Sequence, residues 1–171
     1  VPVFSYLFLR GRCRGCGSAI STSYLFAELV TGLLFAFAYT HAEPVLSVLS
    51  FLVLISSLVF WGAFSGIVLY DIRHTLVPTP FIYVLFGSAL LSRLFGALAL
   101  DSADFFLGGI LGACVLGGFF LILYAATKGR GLGFGDVYVV ASIGFFLGAL
   151  TGISGVVFGV WSGALVGLLM L

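Results

Sequence analysis

The amino-acid sequence predicts an all-α protein that forms a polytopic bundle of transmembrane helices. Of its 171 residues, 62% are hydrophobic and only 8% are charged, whereas an average soluble domain carries about 25% charged residues. The mean hydropathy is +1.31, and continuous apolar runs recur at the length of about 18 residues or more that a membrane-crossing helix needs. These observations exclude a soluble enzyme, a disordered chain and a disulfide-rich secreted domain. The continuous runs also argue against a transmembrane barrel, whose strands alternate polar and apolar residues.

Six crossings are predicted, one for each apolar run. They cover approximately residues 23–39, 45–70, 79–97, 102–127, 136–150 and 152–171. Pro44 helps to terminate the first helix in a polar turn over residues 40–44, and Pro78 and Pro80 suit the start of the third. The fifth run is short for a full crossing. Neither end has the features of a complete chain, so we expect a fragment that is truncated at both ends.

The basic residues predict which side of the membrane each loop faces, because cytoplasmic loops carry an excess of Lys and Arg. With the N-terminus in the cytoplasm, six of the seven basic residues fall on the cytoplasmic side, and Arg93 alone lies toward the other face. The six are Arg10, Arg12, Arg14, Arg73, Lys128 and Arg130. The net charge of +1 offers no electrostatic footprint for nucleic acid, so no nucleic-acid partner is expected.

This topology leaves two acids, Asp71 and Asp136, at the cytoplasmic face, because an even number of crossings separates them. Ionisable groups at membrane depth are costly and often mark functional sites. The alternative for each of the two acids is that it caps a helix or forms an ion pair with Arg73 or Arg130. Two close carboxylates tend to share one proton, so the ionised member can take a proton from water while the protonated member hydrogen-bonds a scissile carbonyl. The pair therefore predicts aspartic protease chemistry.

Glycine occupies every second position before the second acid, at Gly129, Gly131, Gly133 and Gly135. Glycine lets another backbone approach closely, so Gly133 and Gly135 are predicted to form a loop against which an extended peptide substrate lies. A phosphate-binding loop is the competing use, but its signature ends in Gly-Lys-Ser/Thr, whereas Gly135 is followed by Asp136. A loop that is merely flexible is the third alternative.

Residues 71–78 read Asp-Ile-Arg-His-Thr-Leu-Val-Pro, and residues 133–136 read Gly-Phe-Gly-Asp. These segments resemble the two active-site motifs of the prepilin peptidases, a family of membrane aspartic proteases. Residues 5–21, with their Cys-Arg-Gly-Cys, and residues 27–32, Ala-Glu-Leu-Val-Thr-Gly, also resemble that family. The resemblance implies that Asp71 and Asp136 are the catalytic pair. Gly-x-Gly-Asp is shared with presenilin-like proteases, which leaves a protease that cuts within the membrane as an alternative.

The resemblance implies that the protein cleaves the leader peptide of type IV prepilins or pseudopilins at the cytoplasmic face of the bacterial inner membrane. It divides the chain into a cytoplasmic basic segment, residues 1–22, and a transmembrane peptidase domain, residues 23–171. Proteolysis needs no cofactor, and N-methylation with S-adenosylmethionine is implied for the full-length protein. The partners are prepilin or pseudopilin N-terminal segments and the lipid bilayer. A transporter or proton relay that uses Asp71 and Asp136 as a cation site is the alternative outside the proteases.

Three cysteines raise the question of a metal site. Cys13 and Cys16 have the spacing of metal ligands, but a closed structural zinc site needs four ligands. Cys114 lies within an apolar run, where we expect it to pack as a small apolar residue. Cys13 and Cys16 are therefore half a zinc site, and the family resemblance implies that the other half lies in a missing N-terminal part. A redox-active or inert thiol pair is the alternative.

Two further residues are candidates for roles near the site. Glu28 lies inside the first predicted crossing, where it either meets substrate or cofactor or bonds a neighbouring helix. His74 follows Asp71 by one helical turn, where it either tunes the acid or is an ordinary interfacial histidine.

The sixth helix carries glycines every four residues, which predicts close packing within the chain and leaves a dimer contact open. They are Gly155, Gly159, Gly163 and Gly167.

Overall fold

The computed structural model of the protein is all-helical, as predicted, over the residues it describes, 2–40, 47–74, 76–130 and 132–169. The helices are α1 Pro2–Phe8, α2 Thr22–Thr40, α3 Val48–His74, α4 Thr79–Ala99, α5 Ala103–Thr127, α6 Phe134–Leu147 and α7 Ala149–Leu169. The predicted runs correspond to α2 through α7, and α1 is an additional short helix in the basic segment. The predicted turn before Pro44 lies outside the described residues.

Over the ranges that the structure describes, four helices are long and apolar enough to cross a membrane, namely α2, α3 over Val48–Ile72, α4 and α5. Two shorter apolar helical stretches follow, Phe134–Leu147 and Ala149–Ser162. At a rise of about 1.5 Å per residue, the 14 residues of α6 extend about 21 Å, less than the hydrocarbon core of about 30 Å. Four of the six predicted crossings are thus supported by length and composition, and crossings by the last two helices stay a prediction.

The core lies where α3, α4 and α6 meet. Phe60, Leu85 and Phe145 are buried there, and the ring of Phe60 stacks on that of Phe146 with centroids 3.9 Å apart. Most large apolar side chains instead lie on the outside of the bundle. A helical bundle can present such an apolar exterior to lipid, because the backbone polar groups of each helix are hydrogen-bonded within that helix.

Helices α5 and α6 approach each other through small residues. A Cβ atom at Gly109 would lie 2.8 Å from the carbonyl oxygen of Phe145, and one at Gly112 would overlap the carbonyl of Gly144. Small residues at such positions let two backbones come close, which is a common way for membrane helices to pack. The close approach holds α6, and therefore the second aspartate motif, firmly against α5.

The chain reverses direction at Gly148, between α6 and α7. Gly148 has φ 86°, a conformation that favours glycine, and its N–H donates to the carbonyl of Gly144 at 2.8 Å. A Cβ atom at Gly152 would lie 3.4 Å from the Cα atom of Gly144, so α7 folds back over α6.

Arg93 closes the end of α6 where this reversal occurs. Only 6% of Arg93 is exposed, and its Nε donates to the carbonyl oxygens of Phe145 at 2.9 Å and Phe146 at 3.1 Å. Its Nη1 donates to the carbonyl of Phe105 at 2.7 Å. A cation at the carbonyl end of a helix is favourable. Arg93 is the one basic residue that the charge pattern places toward the other face of the membrane. Its position has a structural cause, because this arginine is a buried helix cap and not a residue of a loop.

Two packing expectations are wrong. Within the described part of the chain, Gly155 and Gly159 have no atom within 4 Å of the place where a Cβ would be, so these two glycines do not mediate close packing among those residues. The surroundings of Gly163 and Gly167 lie outside the described part. Cys114 is exposed on α5 rather than packed inside, because α5 turns that side of the helix away from α6.

Candidate active site

Asp71 lies in the last turn of α3, and its side chain is exposed. The chain leaves the helical conformation after this turn, and Pro78 is extended, with φ −72° and ψ 122°, before α4 begins at Thr79. A proline disfavours helix in the residue before it, which explains why α3 and α4 are separated here. Among the described residues, Asp71 makes no hydrogen bond or ion pair.

Asp136 lies in the first turn of α6 and is half-buried. Its Oδ2 accepts a hydrogen bond from the N–H of Gly133 at 2.9 Å, and its own N–H donates to the carbonyl of Gly133 at 3.1 Å. This reciprocal pair caps the helix, so the capping role considered from the sequence is present. It also holds the carboxylate in one orientation at the start of α6.

Gly135 connects the two aspartate motifs. A Cβ atom at Gly135 would lie 2.9 Å from the Cβ of Val77, so the chain's own valine occupies the space that the missing side chain leaves. Val77 also packs against the core of α3, α4 and α6. The loop that follows Asp71 thus lies directly on the turn that carries Asp136, and both acids lie at the same end of the bundle.

The backbones of the two aspartates are not in direct contact. No Cα atom described in α3 lies within 8 Å of one in α6, so the Cα atoms of Asp71 and Asp136 are more than 8 Å apart. The role of Gly133 and Gly135 as a substrate loop stays a prediction. Gly133 is exposed there, whereas Gly135 is half-buried under Val77.

A groove of about 260 Å³ lies between α2 and the end of α3 that carries Asp71, although Asp71 itself does not line it. Ser23 and Tyr24 line it from α2, and Tyr70 and His74 line it from α3. The rings of Tyr70 and His74 lie 4.4 Å apart, centroid to centroid. His74 therefore lines a groove at the end of α3 that carries the first acid, which is compatible with both roles considered for it.

A second groove, of about 320 Å³, lies between α1 and α2. It is lined by Tyr6 from α1 and by Tyr24 and the half-buried Glu28 from α2. Among the described residues Glu28 has no hydrogen bond or ion pair, so the structure does not show the bond to a neighbouring helix that was one alternative for it.

The cysteine pair lies in the tight turn between α1 and α2. Cys13 donates its N–H to the carbonyl of Ser18 at 2.9 Å, and the Cys16 sulfur lies 3.0 Å from the Ser18 hydroxyl. Hydrogen bonds from the side chain and backbone of Ser18, and then from Cys13, lower the pKa of the exposed Cys16 thiol to about 7. No group of three or more His, Cys, Asp or Glu side chains gathers for a metal within the described ranges.

Fold and site together define a helical membrane protein with two aspartates at one end of its bundle. A family model described as Bacterial Peptidase A24 N-terminal domain matches residues 1–42. That match crosses the predicted domain boundary after residue 22, and the boundary stays a prediction. No solved structure matches the chain.

Several curated bacterial proteins match almost the whole chain. The prepilin leader peptidase/N-methyltransferase of Bacillus subtilis (strain 168) is 35% identical over 98% of this chain and 62% of its own length. The proteins of that name from Myxococcus xanthus (strain DK1622) and Dichelobacter nodosus are 36% and 33% identical, over 100% and 87% of this chain. The chain spans about half of those two relatives, 49% and 50%. It is a homologue in the prepilin leader peptidase/N-methyltransferase family, peptidase A24.

Sequence reasoning missed two residues that shape the site. In the sequence Val77 is only part of a motif, whereas in the structure its contact with Gly135 joins the two acidic segments. The sequence around Tyr6 does not predict its role, because no local pattern shows that α1 folds against α2. The one signal for Val77 is the proline that follows it, which predicts an extended residue at that point.

Proposed function

We propose that this chain carries the catalytic centre of a membrane aspartic endopeptidase, with Asp71 and Asp136 as its pair. Its substrate is the leader peptide of type IV prepilins or pseudopilins, cleaved at the cytoplasmic face of the bacterial inner membrane. Homology to proteins named prepilin leader peptidase/N-methyltransferase supports the reaction and the substrate. The contact of Val77 with Gly135 carries the proposal in the structure, because it brings the segments of both acids to one end of the bundle.

The proposed chemistry is hydrolysis of one peptide bond by an activated water. The ionised aspartate takes a proton from water as the oxygen attacks the scissile carbonyl carbon, and the protonated aspartate hydrogen-bonds the developing oxyanion. The C–N bond then breaks, and the leaving amine takes up a proton.

For the full-length protein we propose two further properties, N-methylation and a structural zinc site. The relatives' name includes N-methyltransferase, so we extend the proposal to N-methylation with S-adenosylmethionine by the longer protein. Cys13 and Cys16 are proposed as two of the four ligands of a structural zinc. Proteolysis by the aspartate pair uses neither group.

The test is cleavage of a prepilin substrate by the purified protein in liposomes. Asp71→Asn and Asp136→Asn should each reduce cleavage by about 10⁴-fold or more, and the double variant should lose little beyond that, because groups that act as one unit are non-additive. Asp71→Glu should also fail, since an added methylene displaces the carboxylate by about 1 Å. Asp104→Asn, which removes an exposed acid at the start of α5, is the matched control and should retain activity.

The alternatives predict different results. Full cleavage by Asp136→Asn would remove this residue from the pair, and cation flux lost in the same variants would favour a transporter. Mass spectrometry of the products separates the two protease classes, because a presenilin-like enzyme would cut within the apolar segment instead of at the leader junction.

A further inference from the structure

Glu28 is an acid in an unusual position. It is the seventh residue of α2, so it lies about 9 Å along the helix from Thr22, in a segment that is long and apolar enough to cross a membrane. A carboxylate at such depth is costly and normally pairs with another group. Among the described residues it pairs with none, and Arg10, Arg12 and Arg14 make no ion pair with it.

The groove that contains Glu28 has the chemistry of a cation site. The carboxylate accepts hydrogen bonds and attracts positive charge, and the rings of Tyr6 and Tyr24 line the same space. Aromatic faces also attract ammonium and guanidinium groups. The Tyr6 hydroxyl donates to the carbonyl of Ile20, another residue that lines the groove, at 3.4 Å.

This groove is next to the groove between α2 and the end of α3. Tyr24 lines both of them, and the second groove is bounded by Tyr70 and His74, which flank Asp71 on α3. The two grooves therefore lead from the end of α3 that carries Asp71, past Tyr24, to Glu28. A polypeptide whose scissile bond lies at Asp71 can place a neighbouring side chain over Tyr24 and into the Glu28 groove.

We propose that Glu28, together with the rings of Tyr6 and Tyr24, forms a subsite for a basic side chain of the polypeptide substrate. The identity of the polypeptide rests on the proposed function, whereas the preference for positive charge rests on the groove itself. Glu28 acts here in binding, and the reacting atoms belong to the two aspartates. The subsite therefore affects KM and leaves kcat unchanged.

The test uses substrate peptides in which one lysine is moved along the positions near the cleaved bond and is compared with norleucine, its uncharged isostere. The unaltered protein should show a KM lower by about tenfold for lysine at one position, the gain expected of one charged hydrogen bond, with an equal kcat. Glu28→Gln should remove the preference. Glu28→Lys should transfer it to a peptide with glutamate at that position, and Asp104→Asn should keep the preference for lysine.

A binding measurement separates this inference from the proposed function. Fluorescence anisotropy with Asp71→Asn reports peptide affinity without cleavage, so a lysine preference that Glu28→Gln abolishes supports the subsite even if the protein cleaves nothing. Equal affinity for lysine and norleucine at every position would overturn the subsite. So would a lysine preference that survives in Glu28→Gln.

Discussion

At the scale of single residues, Arg93 shows how a charge is accommodated inside an apolar bundle. Three backbone carbonyls, those of Phe105, Phe145 and Phe146, accept its hydrogen bonds. The last carbonyls of a helix have no partner within that helix, so α6 obtains its cap from α4. The fork of guanidinium donors suits this task because it reaches several acceptors at once.

Replacing Arg93 should destabilise the fold according to how many donors are lost. Arg93→Met removes the donor from the carbonyls of Phe145 and Phe146 at the end of α6 and one donor from the carbonyl of Phe105. It should lower the free energy of unfolding by about 2–4 kcal/mol, and Arg93→Lys should have an intermediate effect. The measurement is thermal unfolding in detergent. Arg130→Met, the same change at an exposed arginine, should have little effect. Equal stability of the Met and Lys variants would contradict the capping role.

The Cys16 thiol should react at lower pH than an unperturbed cysteine. Hydrogen bonds, chiefly from the Ser18 side chain, lower its pKa to about 7, and the thiolate is the reactive form. Alkylation by iodoacetamide should therefore rise through pH 7 and level off above it, as read by mass spectrometry of the modified peptide. Ser18→Ala should move the midpoint to higher pH, and an unchanged midpoint would show that Ser18 is not the cause.

At the scale of helices, the α5–α6 pair depends on glycine at the positions where the backbones meet. Gly112 faces the carbonyl of Gly144, whereas Gly118 on the same helix has no atom of any described residue within 4 Å of the place where a Cβ would be. The two glycines therefore differ in packing and share the same helix, which makes them a matched pair for substitution.

Gly112→Ala should destabilise the protein by about 1–3 kcal/mol, because the methyl group pushes α5 and α6 apart. Gly118→Ala should be neutral or slightly stabilising, since alanine favours helix over glycine by about 1 kcal/mol. Thermal unfolding in detergent compares them directly. A loss of stability in Gly118→Ala as large as in Gly112→Ala would mean that packing at the interface is not the reason.

At the scale of the whole molecule, one end of the bundle gathers the end of α3, the start of α4 and the start of α6. The contact of Val77 with Gly135 joins them. The opposite end contains the Arg93 cap and the reversal at Gly148. The proposed chemistry and the main structural cap thus lie at opposite ends.

This arrangement predicts the side from which each loop can be labelled. In a background with Cys13, Cys16 and Cys114 changed to serine, Leu76→Cys and Arg130→Cys should react with a membrane-impermeant maleimide only from the cytoplasmic side. Asp101→Cys, in the exposed turn between α4 and α5, should react only from the other side. Labelling of positions 76 and 130 from opposite sides would separate the two aspartates and rule out their action as a pair.

Much of this protein is determined by local sequence. The lengths of the apolar runs predicted the helical class and four of the candidate spans within about three residues at each described end, because a helix satisfies its own backbone hydrogen bonds in lipid. The motifs around Asp71 and Asp136 indicated the family, which the relatives confirm. Charge counting placed Arg93 toward the opposite face and gave no reason for its position, since it cannot distinguish a loop arginine from a buried one.

Only the tertiary structure decided which distant residues meet. Arg93 bonds Phe145 across 52 positions of the chain, and Val77 fills the space beside Gly135. The reversal at Gly148 and the grooves around Tyr24 likewise depend on which helix faces which. Apolar periodicity could not predict these contacts, because in a membrane the lipid-facing and protein-facing sides of a helix are both apolar. Packing of small residues and a few polar groups, rather than hydrophobic pattern, selects the neighbours.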